Sequence, residues 1–140
     1  MKIESLEFFY LAMPRIEDRG DGSQDALLVR ARAGNYTGWG ECEASPLTTI
    51  AAMVCPMSHS ACKPVSMSVM GEELNEASDI LRIHQKVREN SMDLLQSDHA
   101  LSGIDIALWD LLGHIYEEPV YQVLGYKKAY PKLPYASFLF

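Results

Sequence analysis

The sequence predicts an α+β domain, a three-stranded antiparallel meander followed by a helical bundle. Residues 25–33, DALLVRARA, alternate between two faces and run straight into Gly34-Asn35, a pair suited to a tight hairpin turn with positive φ at its first central residue. Apolar residues then recur at spacings of three and four between 77 and 87, and again between 100 and 115, which is the helical period. The chain has 140 residues, 48% apolar and 22% charged, enough for one domain with a real core and wrong for a disordered chain.

Leu6, Phe8 and Tyr10 alternate with Glu7 and Phe9, so residues 2–12 read as the first strand, with Ile3 out of phase. PRIEDRGDGSQ follows, a charged, glycine-bearing loop of the length that compact domains reserve for function. In the second strand Leu27, Val29, Ala31 and Ala33 face one way, and Leu28, Arg30 and Arg32 the other. YTGWGEC, residues 36–42, returns as the third strand. From Ser45 to Gly71 the chain is punctuated by Pro46, Pro56 and Pro64, with a short helix at Thr48–Val54. The next helix carries Ala77, Ile80, Leu81, His84 and Val87 on one stripe, with Asn75 or Ser78 as cap. In the following one Asp98 is the cap. Ala100, Ile104, Ala107, Leu108, Leu111 and Ile115 form its stripe, which Ile106 and Trp109 widen. Pro119 opens a helical turn closed by Gly125. The final PYASFLF reads as a strand buried on both faces. An ending inside apolar sequence predicts the front part of a longer protein.

A formal charge of −7 disfavours nucleic-acid and anionic-membrane partners, both of which select basic patches. No apolar run is long enough for a membrane span. Glu4 and Glu7 break the N-terminal apolar stretch, unlike a signal peptide. With three cysteines, an odd number in a chain that needs no disulfide staple, a reducing cytoplasm is the expected setting.

Phosphate loops, nucleophile elbows, HExxH and CxxC are absent from the sequence. CPMSHSACKP, residues 55–64, admits three readings. Cys42, Cys55, His59 and Cys62 are a set zinc accepts, but their spacing matches none of the usual structural sites. A Cys55–Cys62 disulfide is geometrically feasible. Two half-buried free thiols in a proline-framed loop are the plain alternative. Gly38 and Gly40 of GWGE suit a bulge or close packing against the helices. Glu41 and Glu43 flank Cys42 as a carboxylate pair or, more plainly, a solvated strand end. Asp105 and Asp110 read as structural, with Arg82, Arg88 or a backbone group as partner.

Residues 99–138, HALSGIDIALWDLLGHIYEEPVYQVLGYKKAYPKLPYASF, resemble the end of the N-terminal capping domain in the mandelate racemase/muconate lactonizing enzyme branch of the enolase superfamily. The helix SGIDIALWDLLG, the segment PVYQVLG and the strand PYAS carry the likeness, and the meander with GWGE fits its order. The resemblance implies a capping (lid) domain over residues 1–128, with 129–140 the linker and first strand of a truncated (β/α) barrel. It implies an enzyme in which barrel bases remove the proton α to a carboxylate and Mg²⁺ stabilises the enediolate. Racemisation, epimerisation, cycloisomerisation and dehydration of acid sugars are the outcomes this implies. The Mg²⁺ ligands and the bases then lie beyond residue 140, no catalytic or metal residue is assigned within it, and this chain alone is not catalytic. The partners implied are a small carboxylate or acid-sugar substrate and the chain's own barrel, and oligomers are common in the family. Two lid loops, 13–24 and 43–64, would cover the barrel mouth. Their candidate substrate contacts are Arg15, whose guanidinium suits a carboxylate, Glu43, Ser45, Ser58, His59 and Lys63. The competing reading is a stand-alone α+β domain that binds a partner without chemistry, and PYASFLF would then be buried or paired in a dimer.

Overall fold

A computed structural model describes residues 1–17, 23–42, 45–94 and 97–134. The strands β1 (Ser5–Leu11), β2 (Ala26–Ala33) and β3 (Tyr36–Cys42) form one antiparallel sheet in the order β1-β2-β3. The helices follow: α1 (Pro46–Val54), one 3-10 turn at Val65–Ser68, α2 (Ala77–Asn90), α3 (Ser97–Tyr116) and the short α4 (Val120–Val123). The domain is α+β, as the sequence predicts.

The meander is built as the alternation requires. Leu27, Val29, Ala31 and Ala33 are fully buried against the helices. Arg30 lies on the other face, where its guanidinium donates to both carboxylate oxygens of Glu7 (2.7 and 2.6 Å) and stacks on Phe9 and Trp39. Gly34 turns the β2–β3 hairpin at φ +57°. The first strand starts at Ser5 rather than residue 2, and the phase of Ile3 has a physical cause. Ile3 is buried and bonds away from β2: its N–H donates to the Glu72 carbonyl (2.9 Å) and its carbonyl accepts from Gly71 N–H (2.9 Å).

The sheet packs mainly on α3, and the two strand glycines explain how closely. A methyl group on Gly38 would overlap the Ala107 carbonyl, and one on Gly40 the Gly103 carbonyl. Gly103 in turn has Cys42 Sγ where its own Cβ would be. Small residues on both partners thus bring backbone against backbone, the close-packing alternative for GWGE. Ala100, Ile104, Ala107, Leu108 and Leu111 are buried as the helical spacing predicts. Ile106 does not widen that stripe; it is half exposed.

Helix α2 corrects the phase read from sequence. Its buried face is Ile80, Ile83 and Val87, and Leu81 is 64% exposed. His84 instead lies at the α3 boundary, with Nε2 2.8 Å from Asp105 Oδ1; neither atom has a hydrogen-bond partner among the described residues, and it is this histidine, not an arginine, that stands beside Asp105. The N-cap of α2 is Glu76, not Asn75 or Ser78. The Asp79 carboxylate accepts from the N–H groups of Asn75 (2.8 Å) and Glu76 (3.2 Å), satisfying donors that a helix start leaves orphaned. Helix α1 begins two residues before the predicted Thr48, with Pro46 in its first turn, where its fixed φ suits a helix and no N–H is lost.

Candidate functional site

One end of the domain collects every loop singled out in the sequence. Leu11 pairs with Ala26 and Leu27 with Cys42, so the loop between β1 and β2 and the chain leaving β3 emerge side by side. The N-terminal half of α3 lies at this end, because Gly103 meets both Gly40 and Cys42. Helix α2 runs antiparallel to α3, with Arg88 Nε 3.5 Å from Asp98 Oδ1, so the C-terminus of α2 reaches the same end. The segment 55–64 is docked on that terminus.

The first loop is pinned at its neck. Asp25 accepts the Tyr10 hydroxyl proton and the Met13 N–H (2.8 Å). The Tyr10 hydroxyl, then the Met13 amide, hold the Asp25 carboxyl below its ordinary range, and the same bond pushes the Tyr10 phenol up. Farther out, Glu17 N–H donates to Ser23 Oγ (2.7 Å). Between these ties Met13 and Ile16 are exposed, as are Leu11 below them and Leu47 on α1. Arg15 has an 84% exposed side chain, whose contact is Glu17 at 3.7 Å. Of the candidate contacts it is the cation held least by its own domain.

The second loop is tied to its own domain. Lys63 N–H donates to the Asn90 carbonyl (2.9 Å), and Lys63 Nζ to Asn90 Oδ1 (3.0 Å). Ser91 Oγ donates to the Lys63 carbonyl (2.7 Å), and Asp93 N–H to the Ala61 carbonyl (3.0 Å). His59 Nε2 lies 3.4 Å from Asp93 Oδ2. Within the loop, Ser58 N–H donates to the Cys62 carbonyl and Cys62 N–H to the His59 carbonyl. Lys63 therefore fastens this segment to the C-terminus of α2, and His59 stands beside Asp93 just past that helix. Ser45 precedes α1 and is exposed, its Oγ 3.4 Å from Thr48 Oγ1. Glu43 lies outside the described residues, as does PYASFLF from position 135 onward.

The cysteines are free thiols: Cys42 is buried, and Cys55 and Cys62 are half-buried. Burial pushes the Cys42 thiol up, which makes it unreactive. Among the described residues no group of three or more His, Cys, Asp or Glu side chains is placed to hold a metal ion. Zinc held by Cys42, Cys55, His59 and Cys62 is therefore not supported. The anchoring roles of Asp25, Asn90 and Asp93 are not legible in the sequence. Their only signal is a polar residue beside an element end, which is too common to single out.

The residues 19–125 match the family model for the mandelate racemase/muconate lactonizing enzyme N-terminal domain. The chain is similar to a solved protein from Rhodobacter sphaeroides described as a predicted mandelate racemase, at 57% identity and a TM-score of 0.92, over 96% of this chain and 34% of that one. A solved putative racemase matches at 27% identity and a TM-score of 0.75, over 97% of this chain and 36% of that one. A mandelate racemase/muconate lactonizing enzyme-like protein from Rubrobacter xylanophilus DSM 9941 matches at 28% identity and a TM-score of 0.62, over 89% of this chain and 27% of that one. The chain spans about a third of the length of these solved chains.

Proposed function

The chain belongs to the mandelate racemase/muconate lactonizing enzyme family as an N-terminal capping domain, and from that premise we propose that it is the lid of an enzyme acting on small carboxylates. The parent's reaction is removal of the proton α to a carboxylate, in racemisation or epimerisation or in the dehydration of an acid sugar. That proton is very weakly acidic, so the reaction needs a cation at the developing enediolate. In this reading that cation is Mg²⁺, held outside the described residues, and the bases lie there too. In this reading the parent works in a reducing cytoplasm, the setting that suits the free thiols Cys42, Cys55 and Cys62.

The observation that carries the lid role is the convergence of loops at one end of the sheet. There the pinned neck at Asp25 presents Met13, Arg15 and Ile16 outward. An apolar rim excludes water from a covered mouth, and a guanidinium gives a carboxylate two parallel donors. Arg15 is the first substrate contact in this proposal. His59 and Lys63 act behind it by fixing the second loop, with Ser45, Ser58 and Glu43 as secondary contacts.

The test is solvent exchange. The polypeptide encoded by the uninterrupted reading frame is incubated with a panel of aryl, alkyl and sugar acids in D₂O with Mg²⁺. Deuterium incorporation at the α carbon, or loss of water across the α,β bond, is the expected result. The absence of both exchange and water loss with every acid in the panel, for a folded, Mg²⁺-supplied chain, would sink the reading. It would leave the non-catalytic binding domain in its place.

A further inference from the structure

We infer that Asp25 is a positioning residue for Arg15. Its carboxylate fixes the direction in which the first loop leaves the sheet, and so sets where the guanidinium meets an acid substrate. This role rests on the function proposed above, in which Arg15 is the first substrate contact.

The ladder between β1 and β2 stops one rung short of the loop. The Arg32 carbonyl faces β1, where it accepts the Glu4 N–H (2.8 Å), and alternation turns Arg30, Leu28 and Ala26 the same way. Leu11 therefore bonds back to Ala26, the last pair of the ladder. Continued for two residues, the register would set Met13 opposite Gln24, backbone against backbone. The Met13 N–H goes instead to Asp25 Oδ1 (2.8 Å). The other carboxylate oxygen accepts from the Tyr10 hydroxyl. Tyr10 stands opposite Leu27, so Asp25 is its diagonal neighbour on the same face of the sheet, a spacing that a long aromatic side chain spans. One carboxylate thus replaces a backbone rung and ties the departing chain to the Tyr10 ring.

An ionised carboxylate suits this place, because each of its oxygens takes one donor. The Tyr10 hydroxyl, then the Met13 amide, hold the Asp25 carboxyl below its ordinary range, so it stays an acceptor through neutral pH. The next tie, from Glu17 N–H to Ser23 Oγ (2.7 Å), joins neutral groups. Arg15 lies between the two ties, and its side-chain contact among the described residues is Glu17 at 3.7 Å. Its own contacts do not aim the guanidinium. The backbone does, and the backbone takes its direction at Met13. A misplacement of about 1 Å is enough to weaken a positioned contact severely.

A double-mutant cycle in the continuous polypeptide decides it, with whichever acid of the aryl, alkyl and sugar panel is turned over as the probe. Asp25→Ala should raise KM about as much as Arg15→Ala does, roughly tenfold, with kcat nearly kept. Added to Arg15→Ala, it should change KM by less than about twofold. Asp25→Asn keeps one acceptor oxygen and should recover part of the loss. Tyr10→Phe removes one of the two bonds and should raise KM by a smaller factor, again only while Arg15 is present. If Asp25→Ala does not fold, Tyr10→Phe with and without Arg15→Ala decides alone. A purely structural Asp25 would lower the melting temperature and act equally in either background. An effect on KM that persists undiminished without Arg15 therefore overturns the inference, as does an unchanged KM in Asp25→Ala or in Arg15→Ala. Each of these results would leave the enzymatic reading standing. If no acid is turned over, that reading falls, and the role of Asp25 falls with it.

Discussion

Gly40 has no room for a methyl group, because the Gly103 carbonyl already lies against its Cα. Gly40→Ala should lower stability by about 3 kcal/mol, the upper range for overpacking a rigid contact. Gly71 is the control: it has φ +80° and open space around it. Alanine there should cost only the left-handed strain of about 1 kcal/mol. Urea melts of the two variants measure the difference, and equal losses would mean that α3 moves freely off the sheet. Thr49 makes the opposite case. It is fully buried in α1 and its hydroxyl has no partner among the described residues. Thr49→Val removes that uncompensated group and should raise stability by about 1 kcal/mol; a lower urea midpoint would show that the hydroxyl is satisfied.

At the scale of the element, α2 is held at both ends by polar contacts. The Lys86 ammonium, and then the Arg82 guanidinium, lower the Glu72 carboxyl from its ordinary 4.5. The Asn75 N–H bond lowers Asp79 from 3.8, with Arg82 adding to it. Both groups are depressed in the folded state, so their contribution is fully present above those ordinary values. It is lost as pH falls through the lowered folded ones. Melting temperature should therefore drop as pH falls below about 4.5, and Glu72→Gln should drop less steeply than the parent sequence. At the other end, Asn90 accepts from Lys63 Nζ and donates to Ser68 Oγ (2.9 Å). Asn90→Ala should loosen 55–64 and raise its cleavage rate in limited proteolysis several-fold, with about 1 kcal/mol of stability lost. Unchanged cleavage would mean that the backbone bonds alone fix the loop.

For the whole molecule, the proposed lid role predicts that Arg15 and Lys63 separate cleanly in the continuous chain. Arg15→Ala removes a side chain that its own domain barely holds. It should raise KM for an acid substrate about tenfold, the loss of one charge-assisted hydrogen bond, and leave the melting temperature unchanged. Lys63→Ala should do the reverse, lowering melting temperature with little effect on KM, because its ammonium is spent on Asn90. Matched KM effects would return Lys63 to the substrate side of the loop.

The sequence by itself determined the α+β class, the β2–β3 hairpin, the α3 stripe and, through SGIDIALWDLLG and PVYQVLG, the family. These are features of local period and turn chemistry, set by neighbours at most a few residues apart. Only the tertiary structure decided the phase of α2, because Ile83 rather than Leu81 faces the core, and a stripe shifted around the helix has nearly the same period. It also decided the neighbours of Ile3, His84 and Lys63, each met across a gap in sequence that no local pattern spans. Both loops at this end of the sheet offered a cation as a candidate contact, Arg15 in one and Lys63 in the other. Packing against α2 made one a fixture and left the other presenting Arg15 outward, because the free energy of a polar side chain depends on which groups the fold brings within reach.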